Sequence, residues 1–185
     1  MNNSIVVGSL GAIAKQSGQS LAETFLSCDV VILVDTSGSM SSHDSVGGRT
    51  RYDQACTELA QLQTNLPGKI AVIAFSDEVQ FCPSGIPHNF GGGTDLAKGL
   101  RFIKAADVSG MKFILISDGQ PDAPEEALAV ARTFKAHIDV IFVGPEGGSG
   151  RDFLERLARA TGGQAVTAEA AKQLKATVET LLLKG

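Results

Sequence analysis

The stretch that decides the fold is Val30-Val31-Ile32-Leu33-Val34-Asp35-Thr36-Ser37-Gly38-Ser39-Met40. Its first half is an uninterrupted apolar run, which is typical of a strand buried on both faces of a sheet. Its second half places one carboxylate and two hydroxyls at alternate positions, and Gly38 lets the backbone turn there. Hard oxygen ligands of this kind suit Mg²⁺, Mn²⁺ or Ca²⁺ rather than zinc or copper. The simpler alternative is a polar turn that closes the strand.

Apolar segments on either side of this stretch alternate between strand and helix periodicity. This alternation predicts an α/β fold, a doubly wound and mostly parallel six-stranded sheet with helices on both faces and strand order 3-2-1-4-5-6. Strand 3 follows a Ser-Asp turn and ends before Pro83, which favours an antiparallel edge strand. The predicted strands are 29–35, 69–75, 79–82, 111–117, 138–143 and 164–167, and helices are expected after Thr50, Thr94, Asp122 and Ser149 and over 171–181.

The predicted strand order brings distant polar residues together. Strands 1 and 4 are neighbours at the switch point, where ligands bind beyond the carboxyl ends of the strands. Asp118 follows strand 4 directly, so it is expected beside Asp35. The loop 91–94, three glycines and then Thr94, leads into the helix before strand 4 and is expected to close over the same crevice. Taken alone, Thr94 also suits a helix N-cap and Asp118-Gly119 a simple turn.

The order of these three motifs resembles the von Willebrand factor A (vWA) family, in its stand-alone bacterial form, with a metal-ion-dependent adhesion site. The match extends from about residue 29 to the C-terminus, and Ser117 stands where the family often has Thr. The resemblance implies that two serines and often a threonine contact the ion, whereas two aspartates act mostly through bound water. The implied metal-site residues are Asp35, Ser37, Ser39, Thr94 and Asp118.

The resemblance implies a non-catalytic, divalent-metal-dependent protein–protein interaction module. An Mg²⁺ ion (or Mn²⁺ or Ca²⁺) with few anionic neighbours attracts one more carboxylate, here an Asp or Glu side chain of a partner protein. The family suggests a MoxR-type AAA+ ATPase or a kinase/phosphatase stress system as that partner. The alternative function is a magnesium-dependent phosphatase or phosphotransferase with Asp35 as nucleophile, in the manner of the haloacid dehalogenase family. That chemistry requires a second Asp two residues on, where Ser37 stands.

Bulk properties narrow the function classes. The net charge is −4 and no Lys/Arg cluster is present, which argues against nucleic-acid binding. No apolar run reaches the roughly 18 residues of a membrane span. The chain has three cysteines without metal-ligand spacing, which predicts free thiols and a cytoplasmic location. We expect residues 1–28 to form a helical extension that packs on a vWA domain of residues 29–185, or else docks a partner.

Two further expectations concern loops. The glycine-rich segment 144–150 resembles a phosphate cradle but lacks the lysine of a P-loop, which favours a flexible strand-to-helix connection. Acidic residues near the starts of two helices are expected to cap them and to add negative field near the site. These residues are Asp95, Asp122, Glu125 and Glu126.

Overall fold

The structure, a computed structural model, is built around one six-stranded sheet. It describes residues 5–44, 48–119, 121–143 and 149–167. The sheet order is β3-β2-β1-β4-β5-β6, and β3 alone among these strands pairs antiparallel with its neighbour. The predicted fold class and strand order are therefore confirmed. The strands are β1 (Val30–Asp35), β2 (Ile70–Phe75), β3 (Val79–Phe81), β4 (Lys112–Ser117), β5 (Ile138–Phe142) and β6 (Ala165–Thr167).

Helices cover both faces of the sheet because alternate residues of the buried strands point to opposite sides. Val31 and Leu33 of β1 join a core with three helices, α4 (Leu96–Ile103), α5 (Pro124–Ala131) and α6 (Ser149–Thr161). Val30, Ile32 and Val34 join a second core with the third helix. The described helices are α1 (Leu10–Ser17), α2 (Leu21–Leu26), α3 (Arg51–Asn65), α4 (Leu96–Ile103), α5 (Pro124–Ala131) and α6 (Ser149–Thr161).

The N-terminal segment contacts the turns next to α3 and β3. Leu10 of α1 is buried, and the Gly11 amide donates a hydrogen bond of 2.8 Å to the Pro83 carbonyl. Within residues 5–28, α1 and α2 are both short helices, and Ser20 and Glu23 form a capping box at the start of α2. The division of the chain at residue 29 stays a prediction. The predicted helix over 171–181 and most of the glycine-rich loop, residues 144–148, lie outside the described residues.

The structure confirms one predicted helix cap, at Asp95, and contradicts another, at Asp122. Asp95, and not Thr94, is the N-cap of α4, because its side chain accepts a hydrogen bond of 2.9 Å from the Lys98 amide. Asp122 does not cap α5, which begins at Pro124 without a side-chain cap. Its carboxylate instead accepts a hydrogen bond from the Thr94 amide at 2.8 Å. The prediction that Asp122 caps a helix is therefore wrong. Thr94 does not serve as a helix cap.

The burial of β1 leads to a stability prediction. Leu33 is 1% exposed at the centre of the sheet, so Leu33→Ala should lower the free energy of unfolding by about 2–5 kcal/mol, measured by urea denaturation. The matched control is Val108→Ala, since Val108 is 59% exposed and should change the free energy by less than about 0.5 kcal/mol. Equal effects of the two substitutions would contradict this description of the core.

Candidate metal centre

The first part of the site is the turn at the carboxyl end of β1. Asp35 is the last residue of the strand and is fully buried. Its Oδ1 accepts a hydrogen bond of 2.9 Å from the Ser37 amide, a local contact that shapes the turn. A single 3₁₀ turn, Gly38–Ser41, follows and places Ser39 beside Ser37. The Oγ atoms of the two serines are 3.1 Å apart.

The second part comes from the neighbouring strand β4. The parallel register pairs Val34 with Ile116, so the next residues of the two strands lie side by side. Ser117 Oγ donates to Asp35 Oδ2 at 2.6 Å, and Ser39 Oγ donates to Asp118 Oδ1 at 2.8 Å. Because Ser39 uses its only proton on Asp118, Ser37 must be the donor in the contact between the two serines. The structure therefore links four of the five predicted residues into one hydrogen-bonded chain.

The third part is the loop that carries Thr94. Backbone hydrogen bonds fix this loop against the first turn, from Gly91 N to Thr36 O at 3.0 Å and from Gly38 N to Gly92 O at 3.1 Å. Thr94 is half-buried. Its backbone amide donates to the Asp122 carboxylate at 2.8 Å, and its backbone carbonyl accepts from the Asp122 amide at 3.1 Å. The loop thus lies next to the four linked residues, as the sequence predicted, while the hydrogen bonds described do not join Thr94 to them.

Arg51 is a site residue that the sequence analysis missed. Its Nη1 lies 2.6 Å from Asp118 Oδ2, and the Asp118 side chain is wholly inaccessible to solvent. The same guanidinium binds Asp44 through Nε at 2.8 Å and through Nη2. The one sequence signal for this role is that a cation stands at the start of a helix, where the helix dipole disfavours it.

Burial and hydrogen bonding shift the pKa values of two carboxyl groups at this site, those of Asp35 and Asp44. Burial raises the pKa of the Asp35 carboxyl above its ordinary value, and hydrogen bonds from Ser117 and Ser37 act in the opposite direction. Because the folded-state pKa is raised, ionised Asp35 costs stability as the pH rises above its ordinary pKa, and a nearby cation would offset that cost. On the outer side, hydrogen bonding to Arg51 lowers the pKa of Asp44.

The donor chemistry fits a hard dication. Octahedral Mg²⁺ holds oxygens at about 2.1 Å, which puts adjacent ligands about 3 Å apart. The hydroxyl oxygens of Ser37 and Ser39 are 3.1 Å apart, the spacing of two such neighbours. Within the part of the chain that the structure describes, no group of three or more His, Cys, Asp or Glu residues is arranged to hold a metal. Any ion at this centre would therefore depend on hydroxyl oxygens as well as on the two aspartates.

Comparison with known proteins gives matches in structure alone. No protein-family model and no curated protein sequence matches this chain. A conserved hypothetical protein, BatB from Bacteroides thetaiotaomicron, is 18% identical with a TM-score of 0.62, over 84% of this chain and 97% of that chain. An aerotolerance-related membrane protein from Bacteroides fragilis, with multiple mutations to serines, is 15% identical with a TM-score of 0.63, over 84% and 98%.

A third match carries the family name. A von Willebrand factor type A protein from Catenulispora acidiphila is 18% identical with a TM-score of 0.60, over 82% of this chain and 41% of that chain. No helix among the described residues is long and apolar enough to cross a bilayer. At these identities the likeness concerns the fold, and together with the strand order it shows that this chain has a vWA-like α/β fold.

Proposed function

We propose that this chain is a divalent-metal-dependent protein-binding module that captures an Asp or Glu side chain of a partner protein. The observation that carries the proposal is the hydrogen-bonded chain that runs from Asp35 through Ser37 and Ser39 to Asp118. These residues lie at the carboxyl ends of the neighbouring strands β1 and β4, within one network of hydrogen bonds. The vWA-like fold, which commonly mediates protein–protein interaction, adds support.

Each residue has a role in this proposal. Ser37, Ser39 and Thr94 would hold Mg²⁺, or Mn²⁺ or Ca²⁺, through their hydroxyl oxygens. Asp35 and Asp118 would hold its water ligands, since both carboxylates are already placed by hydrogen bonds within the site. When bound, the ion supplies a position for one more anionic oxygen. A partner carboxylate is the protein group that best fits such a position.

The alternative function, a phosphatase or phosphotransferase with Asp35 as nucleophile, is less well supported. A nucleophilic carboxylate needs an oxygen free to reach the phosphorus atom. Asp35 is 0% exposed, and its two oxygens accept hydrogen bonds from the Ser37 amide and the Ser117 hydroxyl. Those contacts favour a supporting role for Asp35 over attack on a substrate.

The partner and the compartment belong to the same proposal. We infer a cytoplasmic protein, because Cys28, Cys56 and Cys82 are all free thiols and two of them are buried. Among partners of this class, the resemblance to vWA proteins points to a MoxR-type AAA+ ATPase or a kinase/phosphatase stress system. In each case the contact would be an acidic side chain at the metal centre.

Metal affinity provides the first test. Ser37→Ala removes a hydroxyl ligand and Asp118→Asn removes a charge, so each should weaken Mg²⁺ or Mn²⁺ binding at least about tenfold in calorimetric titrations. Circular dichroism should show an intact fold, since both residues lie in loops beyond the strands. The matched controls are Ser109→Ala and Asp152→Asn, both at exposed positions. Unchanged affinity in both site variants would count against the proposed centre.

Partner capture provides the second test. A pull-down from native lysate should retain a specific protein with Mg²⁺ present, lose it in EDTA and recover it when Mg²⁺ is added back. The Ser37→Ala variant should fail to capture the same protein even with Mg²⁺. Capture that is indifferent to EDTA and to this substitution would mean that another surface binds the partner.

Phosphate release tests the alternative function. With Mg²⁺ and p-nitrophenyl phosphate, we expect the wild-type protein to release no more phosphate than the Asp35→Asn variant, because the Asp35 oxygens are already engaged. Robust turnover by the wild type that is lost in Asp35→Asn would replace the binding module with a phosphotransfer enzyme.

A further inference from the structure

We propose that Arg51 couples the two ligands of the metal centre, so that the cation and the partner's carboxylate each bind tightly only when the other is present. This inference rests on the proposed function and assigns a role to a residue outside the predicted ligand set. Arg51 would oppose binding of the divalent cation alone and would favour an acidic group once the cation is in place.

The first observation is where the guanidinium lies. Arg51 Nη1 is 2.6 Å from Asp118 Oδ2, while the other oxygen of the same carboxylate accepts the Ser39 hydroxyl at 2.8 Å. The side chains of Arg51 and Asp118 are 12% and 0% exposed. Solvent therefore screens this pair weakly, and the charge of Arg51 acts within the site rather than at its rim.

The second observation is that this placement is costly by itself. Arg51 is the first residue of α3, a 15-residue helix whose N-terminal end carries the positive pole of the dipole. Asp44 offsets this cost from the outside, because it accepts hydrogen bonds from Nε and Nη2 of Arg51. Asp44 thus leaves Nη1 directed at Asp118. One edge of the guanidinium therefore binds Asp44 on the solvent side, while Nη1 donates to the buried Asp118.

The consequence follows from the charges. Asp35 and Asp118 together offer two negative charges to a dication, and Arg51, whose charge the half-exposed Asp44 offsets only in part, opposes them. A dication held beside Arg51 is neutralised less completely than it would be without that arginine, so it binds less tightly alone and attracts an incoming anion more strongly. By thermodynamic reciprocity, a carboxylate that strengthens cation binding is itself strengthened by the cation to the same extent. Arg51 therefore sets the degree of coupling between them.

The test compares cation binding with and without a carboxylate. Mn²⁺ is titrated calorimetrically into each protein in sodium chloride and in sodium acetate of equal ionic strength, acetate being the carboxylate probe. In chloride, Arg51→Gln should bind Mn²⁺ about tenfold or more tightly than the wild type, because the opposing charge is gone. Acetate should increase wild-type affinity several-fold, and this increase should largely disappear in Arg51→Gln.

Two further variants make the result interpretable. Arg51→Met keeps the aliphatic part of the side chain and serves where Arg51→Gln does not fold, as judged by circular dichroism. Arg101→Gln is the matched control, since it removes an exposed arginine that pairs with Glu126 on another face. It should behave as the wild type in both buffers, which separates a charge within the site from a change in net charge.

The possible outcomes separate this inference from the proposed function. Wild-type Mn²⁺ binding combined with equal or weaker binding by the Arg51 variants, or an acetate effect that the variants retain, would overturn the role of Arg51 and leave the metal centre standing. Failure of every variant and of the wild type to bind Mn²⁺ in either buffer would overturn both. Tighter binding by the variants with loss of the acetate effect would support the coupling.

Discussion

The parallel pairing of β1 with β4 is the constraint on which the rest of the site depends. It places Asp35 beside Ser117, 82 residues away in sequence, so that a hydroxyl from one strand satisfies the buried carboxylate of the other. Asp118 then follows Ser117 into the space above the sheet and meets Ser39. Without this pairing, Asp35 would be a buried charge without its strongest neighbour, and the hydroxyls of the turn would have no common centre.

The features that follow from apolar periodicity could be predicted from the sequence. Buried runs such as Val30–Val34 have one physical solution, a strand covered on both faces, and right-handed crossovers then leave few possible strand orders. The approach of Asp35 to Asp118 follows from that order alone. The packing of α1 could not be predicted, because it depends on turns far away in sequence.

The polar details could not be predicted because they depend on competition between neighbouring groups. Asp122, which the sequence predicted as a helix cap, instead accepts a hydrogen bond from the Thr94 amide. Arg51 has a long side chain that can reach many acidic groups, and the folded positions of Asp44 and Asp118 select its partners. Sequence patterns do not specify which of these polar groups will pair, although the pairing determines the charge of the site.

The glycine-rich loop beside the site has one more consequence. The Gly93 amide donates to Asp77 Oδ2 at 3.0 Å, and a Cβ built on Gly92 would lie 2.2 Å from that same oxygen. A Cβ on Gly93 would lie 2.6 Å from oxygens of both Asp77 and Asp122. The loop is thus tethered at two points by acidic side chains, which a larger residue at Gly92 or Gly93 would have to displace. A binding surface that is fixed in this way would lose little conformational entropy on association. It should therefore bind a partner protein as a rigid surface and not by folding on contact.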